Sequence, residues 1–176
     1  MMLRNLFRPR PNARLGLDLY DLAVQQARQP ALYHALGVQD RIDARFELYT
    51  LHVLILHQRL KQDGERGAAA AQLLFDTYVS ALDHTLRELG VGDVSVGKKM
   101  RKLGESLYGR MSAYEAPLRD CDADALSMAL SKNVYESEDA SVAQPLAAYA
   151  CASVKALAAQ DFASVTKAPA WSEIVV

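Results

Sequence analysis

Apolar residues recur every three or four positions along most of this chain, and no segment alternates apolar and polar residues as a half-buried strand does. Within residues 67–90, for example, Leu74, Tyr78, Leu82 and Leu89 repeat with the period of an α-helix. Similar spacing indicates further helices near residues 15–26, 42–60, 94–116 and 145–157. The pattern predicts an all-α fold: a single compact multi-helix domain with several long helices and no substantial sheet.

Glycine and aspartate mark the expected ends of these helices. Gly37 and Gly64 follow apolar helical runs, at positions where the lack of a Cβ favours a helix end. We expect Asp40 to cap the helix that follows it, and Asp120 or Asp122 to cap a shorter helix. One face of the helix after Asp40 should be buried, namely Ile42, Phe46, Tyr49, Val53, Leu56 and Leu60.

Length and charge set the domain organisation. The chain has 176 residues and a net charge of −1, which suits one globular domain and predicts no general affinity for DNA. We expect a basic N-terminal arm at residues 1–14, followed by a helical domain at 15–176. The arm could contact an anionic membrane surface through Arg4, Phe7, Arg8 and Arg10.

The longest strongly apolar run without a charged residue, 48–58, is too short to cross a bilayer, which needs about 20 residues. The sequence therefore predicts a cytoplasmic protein. Contact with the membrane would be peripheral, on the cytoplasmic face of the inner membrane.

The stretch GVGDVSVGKK at residues 90–99 is similar to a phosphate-binding P-loop. A working P-loop follows a buried strand and ends in Ser or Thr, whose hydroxyl binds Mg²⁺. Here Lys99 takes that last position, and the residues before Gly90 continue a helix. The stretch therefore predicts a junction between two helices and argues against nucleotide hydrolysis.

Gly97 and Gly104 are seven positions apart and so share one face of the helix that follows this junction. Glycine inside a helix costs up to about 1 kcal/mol relative to alanine, so two on one face suggest that another backbone approaches closely. Two interpretations stay open: packing within the molecule, or a groove that receives a helix of a partner.

Four of the five residues at 98–102 are cations: Lys98, Lys99, Arg101 and Lys102. Such a run most often forms a solvated helix face, but neighbouring like charges repel each other on a helix. A surface that keeps this repulsion could bind phosphates, as in lipid headgroups or ribosomal RNA, or an acidic protein tail.

No metal-binding or catalytic set is recognisable. Cys121 and Cys151 form no CxxC motif, and we expect both to be buried as small apolar residues. His52 and His57 are five positions apart and face different sides of a helix. Residues 120–131 begin like an EF-hand loop but lack its glycine and its final glutamate. We expect no cofactor, no metal and no enzymatic activity.

Two segments, RFELYTLH at 45–52 and LRELGVGDVSVGKKM at 86–100, resemble the ubiquinol–cytochrome c chaperone family. The resemblance implies an assembly factor of the respiratory chain that helps newly made cytochrome b enter the cytochrome bc1 complex. It also implies an all-helical fold, no catalysis, and contact with the ribosome near the exit tunnel.

The resemblance, together with the glycines and cations, selects the candidate site residues. The candidate partner-binding residues are Gly90, Val91, Gly92, Asp93, Ser95, Val96, Gly97, Lys98, Lys99, Met100, Arg101, Lys102, Gly104 and Tyr108. The earlier family motif, structural or binding, comprises Arg45, Phe46, Glu47 and Leu48. Two other functions remain open: a ribosome- or RNA-binding helical module that uses the cations at 98–102, and a small helical enzyme with haem or quinone as ligand.

Overall fold

The structure, a computed structural model, describes residues 11–88 and 93–174. These residues form helices and no strand, which confirms the all-α prediction. The helices are α1 (Pro11–Ala27), α2 (Pro30–His34), α3 (Ile42–Lys61), α4 (Gly64–Glu88), α5 (Asp93–Asp120), α6 (Ala123–Val134), a 3-10 turn (Ala140–Ala143), α7 (Gln144–Ala158) and α8 (Phe162–Val165). In the described part of the chain, none of the helices combines the length and apolarity that a bilayer crossing needs.

Helix α3 lies at the centre and contacts α1, α4, α5, α6 and α7. Residues 50–56 are all buried, so the middle of this helix is enclosed on every side. The sequence predicted one buried face, and that prediction was too narrow. It was also wrong for Ile42, which is 72% exposed because it lies in the first turn of α3, outside the core.

Two glycines allow α4 to approach its neighbours closely. A Cβ on Gly67 would overlap the backbone oxygen of Leu60, across the tight turn between α3 and α4. A Cβ on Gly16 of α1 would lie 2.6 Å from Thr77 Oγ1. Helices α1, α3 and α4 therefore form one close-packed layer, from which α4 continues to the candidate site.

The helix ends differ in part from the expectation. Asp122 caps α6 as predicted, and its side chain accepts a hydrogen bond of 3.0 Å from the Ala125 N–H. Asp40 does not cap α3: it accepts two hydrogen bonds, of 2.5 and 2.9 Å, from Arg45. The capping prediction for Asp40 was wrong because a guanidinium one turn into the helix competes for its carboxylate.

Residues 169–174, which we call the C-terminal strap, are irregular and lie across α7. The Ser172 N–H donates a 3.2 Å hydrogen bond to Ser153 Oγ of α7. The ring of Trp171 meets the buried ring of His52 edge-on, with 5.2 Å between the ring centres. The strap therefore closes this end of the helical core.

At the other terminus, α1 begins at Pro11, four residues before the predicted domain start at 15. Arg4, Phe7, Arg8 and Arg10, predicted to contact a membrane surface, lie outside the described residues.

Candidate docking surface

The end of α4 and the start of α5 contribute little to the core. We call residues 79–88 and 93–106 the hairpin arm. No side chain described in these two segments is fully buried, whereas Tyr78 before them and Leu107 after them are. Leu82, Leu86, Met100 and Leu103 are half-buried, because two paired helices cover only one side of each other. The arm is therefore a helical extension with incompletely covered apolar residues.

Gly97 and Gly104 are exposed, and a Cβ added to either would meet no described atom within 4 Å apart from the neighbouring backbone of its own helix. Packing against the described residues therefore does not account for these glycines. Helical spacing puts Arg101 and Tyr108 beside them, and Tyr108 is 73% exposed. We call Gly97, Arg101, Gly104 and Tyr108 the glycine strip.

The cations predicted to bind a partner are exposed on the first turns of α5. Arg101 lies 4.0 Å from Glu105 in an exposed pair, which contributes little to stability. Within residues 11–88 and 93–174, Lys98, Lys99 and Lys102 form no ion pair. This positive charge is therefore available to a partner.

Other predicted site residues lie around the start of α5. Gly90, Val91 and Gly92 are outside the described residues; Asp93, Ser95 and Val96 belong to the first turns of α5. Helix α4 continues to Glu88, so a helix leads into the P-loop-like stretch where a P-loop needs a strand.

Part of the earlier family motif is buried and anchors the arm. Glu47 is 4% exposed and accepts hydrogen bonds of 2.6, 3.0 and 3.1 Å from Arg110 of α5. Burial raises the pKa of Glu47, and the hydrogen bonds and charge of Arg110 oppose that rise. Leu48 is fully buried, Phe46 is half-buried, and Arg45 bonds Asp40. This motif therefore positions α5 against α3.

A second polar contact lies beside this ion pair. The hydroxyls of Thr50 and Tyr78 are 2.7 Å apart, and the ring of Tyr20 stacks on Tyr78 with 6.0 Å between the ring centres. The nearby Tyr114 is fully buried; burial raises the pKa of its hydroxyl, and an interaction with the Asn133 side chain opposes that rise. Sequence reasoning missed this layer because the participating residues are dispersed along the chain.

His52 forms a third buried polar contact. The sequence alone assigned this histidine no role. Its Nδ1 lies 2.8 Å from the Leu48 carbonyl oxygen, so Nδ1 carries the proton and donates it. Its Nε2 lies 2.8 Å from the Tyr149 hydroxyl, which therefore donates to it and itself accepts from Gln26 at 2.9 Å. Burial lowers the pKa of His52 to about 4. This histidine is a neutral structural residue that links α1, α3 and α7.

Residues 34–171 match the family model described as ubiquinol-cytochrome C chaperone, which covers well over half of the chain. The chain belongs to this family. Membership confirms the resemblance found in the sequence, and the matched range includes the earlier motif, the hairpin arm and Trp171 of the strap.

Two similar proteins can be compared directly with this chain. The chain is 20% identical to the ubiquinol-cytochrome-c reductase complex assembly factor 1 of Xenopus laevis over 123 residues, which are 70% of this chain and 61% of that protein. It is 33% identical to the Cbp3 homolog from Brucella abortus, whose crystal structure matches with a TM-score of 0.81 over 93% of this chain and 91% of that one. The helical arrangement described above is thus similar to that of the Cbp3 homolog.

Proposed function

We propose that this protein is a non-enzymatic assembly chaperone for the cytochrome bc1 complex and that its client is newly made cytochrome b. The observation that carries the proposal is the family match over residues 34–171. The names of the two similar proteins support it, since one is an assembly factor of the ubiquinol-cytochrome-c reductase complex. Such a chaperone acts by binding its client, and this role requires no catalysis.

The hairpin arm is the surface we propose for the client. Small residues on a helix let a second helix approach its backbone closely, and the helices of membrane proteins associate in this way. Gly97 and Gly104 offer that surface, and Tyr108 adds an exposed aromatic side chain of the kind enriched at binding interfaces. The neighbouring cations would meet polar or anionic groups at the ends of the client helix or at the lipid headgroups.

Deleting the gene in its own organism tests the function. We expect the amount of assembled bc1 complex to fall while the cytochrome b transcript stays unchanged, because the client is made but not protected. Reintroducing the gene should restore the complex. Normal bc1 levels in the deletion strain would contradict the proposal.

The exposed cations favour one second candidate, a ribosome- or RNA-binding module. Lys98, Lys99 and Lys102 have no ion-pair partner among the described residues, so they could bind phosphates. Replacing Lys98, Lys99, Arg101 and Lys102 by Glu should then abolish co-sedimentation with ribosomes in low salt. If co-sedimentation persists, these cations do not bind the ribosome.

A further inference from the structure

Two cysteines that lie thirty positions apart in the sequence meet in the fold. The Sγ of Cys121, in the turn between α5 and α6, is 3.8 Å from the backbone oxygen of Cys151 in α7. Both cysteines are free thiols. Cys151 is 6% exposed, whereas Cys121 is half-buried, so solvent reaches one thiol more readily than the other. The pair thus has an accessible member and an enclosed member.

The backbone at Cys121 is unusual for a residue with a side chain. Its φ is 51°, in the left-handed region. The Cys121 N–H donates to the Leu118 oxygen at 3.3 Å, and the Asp122 N–H donates to the Pro117 oxygen at 2.9 Å. These two bonds form the Schellman motif that ends many helices, in which Cys121 occupies the position that favours glycine. The chain therefore has a cysteine at a position where the geometry of the helix end favours glycine.

The Cys121 thiol also affects Cys151 electrostatically. Burial, and after it the neighbouring Cys121 thiol, raises the pKa of Cys151 to about 11. Cys151 is therefore protonated near neutral pH, so the more accessible Cys121 is the thiol that reacts first with a reagent from solvent.

We propose that Cys121 and Cys151 are a reversible redox pair, oxidised to an intramolecular disulfide by a low-molecular-weight disulfide such as glutathione disulfide. The Cys121 thiolate attacks one glutathione sulfur, which forms a mixed disulfide and expels one glutathione thiolate. The Cys151 sulfur, on losing its proton, then attacks the Cys121 sulfur and expels the second glutathione thiolate. Two electrons pass from the cysteine sulfurs to glutathione, and the two glutathione thiolates take up the two protons.

The disulfide would tie the end of α5 to the middle of α7. Helix α5 carries the glycine strip at its other end, so the bond would fix the base of the helix that presents the strip. It would also close a loop of thirty residues, which restricts the unfolded chain. This inference concerns a modification site and does not rest on the identity of the client.

Equilibrating the full chain in buffers of increasing glutathione disulfide content tests the proposal. We expect both thiols to disappear together, and digestion without reductant to yield one cross-linked peptide pair that joins Cys121 to Cys151 in a monomer. The thermal midpoint should rise by roughly 5–10 °C and return after reduction. Three outcomes would overturn the proposal: thiols that remain free, disulfide-linked dimers, or a glutathione adduct that accumulates on Cys121 beside a reduced Cys151.

Two variants test the roles of the two thiols separately. In Cys151→Ser the mixed disulfide on Cys121 should persist, because no second thiol resolves it. An equal amount of adduct on the wild type at equilibrium would show that Cys151 does not act. In Cys121→Gly, which suits the left-handed backbone, Cys151 should stay reduced and the thermal midpoint should be unchanged or higher. Reaction of Cys151 with glutathione in this variant would contradict the assigned order of attack.

Discussion

Buried polar side chains decide how the helices of this protein are joined. Glu47 lies on the most enclosed helix, α3, where an unpaired carboxylate would be strongly unfavourable, and Arg110 of α5 satisfies it. His52, on the same helix, is satisfied without a charge by Leu48 and Tyr149. Through its hydrogen bonds, each of these residues determines which helix packs against α3 at that position. Apolar packing alone would specify the neighbouring helix less sharply.

Replacing Arg110 by Met should destabilise the protein by about 2–4 kcal/mol, because it leaves Glu47 buried and unpaired. We expect the double variant, Arg110→Met with Glu47→Gln, to recover part of this loss, since the glutamine carries no charge. Urea unfolding of the wild type, both single variants and the double variant measures this coupling. Strictly additive effects would show that the two side chains do not interact.

Acid should weaken the fold through His52. Its pKa is about 4 in the folded protein, whereas a histidine surrounded by solvent has a pKa of 6.5, so the unfolded chain binds a proton at a higher pH than the folded chain does. The contribution to stability is therefore fully present above pH 6.5. It is lost as pH falls towards 4, with a total loss of about 3 kcal/mol.

This pH dependence can be isolated by comparison with a His52→Gln variant, which lacks the titrating ring. The free energy of unfolding of the wild type should fall more steeply between pH 6.5 and 4 than that of the variant. A matched control is His84→Gln, because the exposed His84 pairs with Glu88 on its own helix, a surface contact that contributes little to stability. Parallel curves for the wild type and His52→Gln would contradict the assignment of His52 as a buried neutral residue.

At the scale of helices, the hairpin arm stands apart because its two halves cover each other only in part. Within α5, Gly104 and Gly109 are both exposed, and a Cβ on either would meet no described atom within 4 Å beyond the backbone of its own helix. Helical spacing nevertheless separates them: Gly104 lies on the glycine strip with Tyr108, whereas Gly109 lies about 140° away around the helix. The two positions therefore allow helix stability to be separated from docking.

Replacing Gly104 or Gly109 by Ala should stabilise the protein by up to about 1 kcal/mol in each case, since alanine favours a helix more than glycine does. Only Gly104→Ala should reduce the amount of cytochrome b that co-purifies with the protein, because only its Cβ would stand on the strip. Urea unfolding and quantitative co-purification measure the two effects. An equal loss of cytochrome b in both variants, or a loss in neither, would argue against docking on the strip.

For the whole molecule, the sequence predicted the helical class, the helix junction at the P-loop-like stretch and the family. Local periodicity suffices for the helical class and the junction, and two short motifs carry the family resemblance, because each of these depends on residues within a few turns of one another. It could not predict that Glu47 meets Arg110, 63 positions away, or that Cys121 meets Cys151, because spacing along one helix does not report which helices become neighbours. Asp40 was mispredicted for a different reason: its partner Arg45 is only five positions away, and a capping rule alone does not weigh this competing ion pair.

Site-specific photo-crosslinking in cells tests most directly the claim that the hairpin arm receives the client. A photoreactive residue at Tyr108 probes the glycine strip, and one at Met128 of α6, which is 60% exposed, serves as a surface control outside the arm. We predict that the position of Tyr108 captures newly made cytochrome b and that the position of Met128 does not. Capture from Met128 alone, or equal capture from both, would contradict a docking surface on the arm.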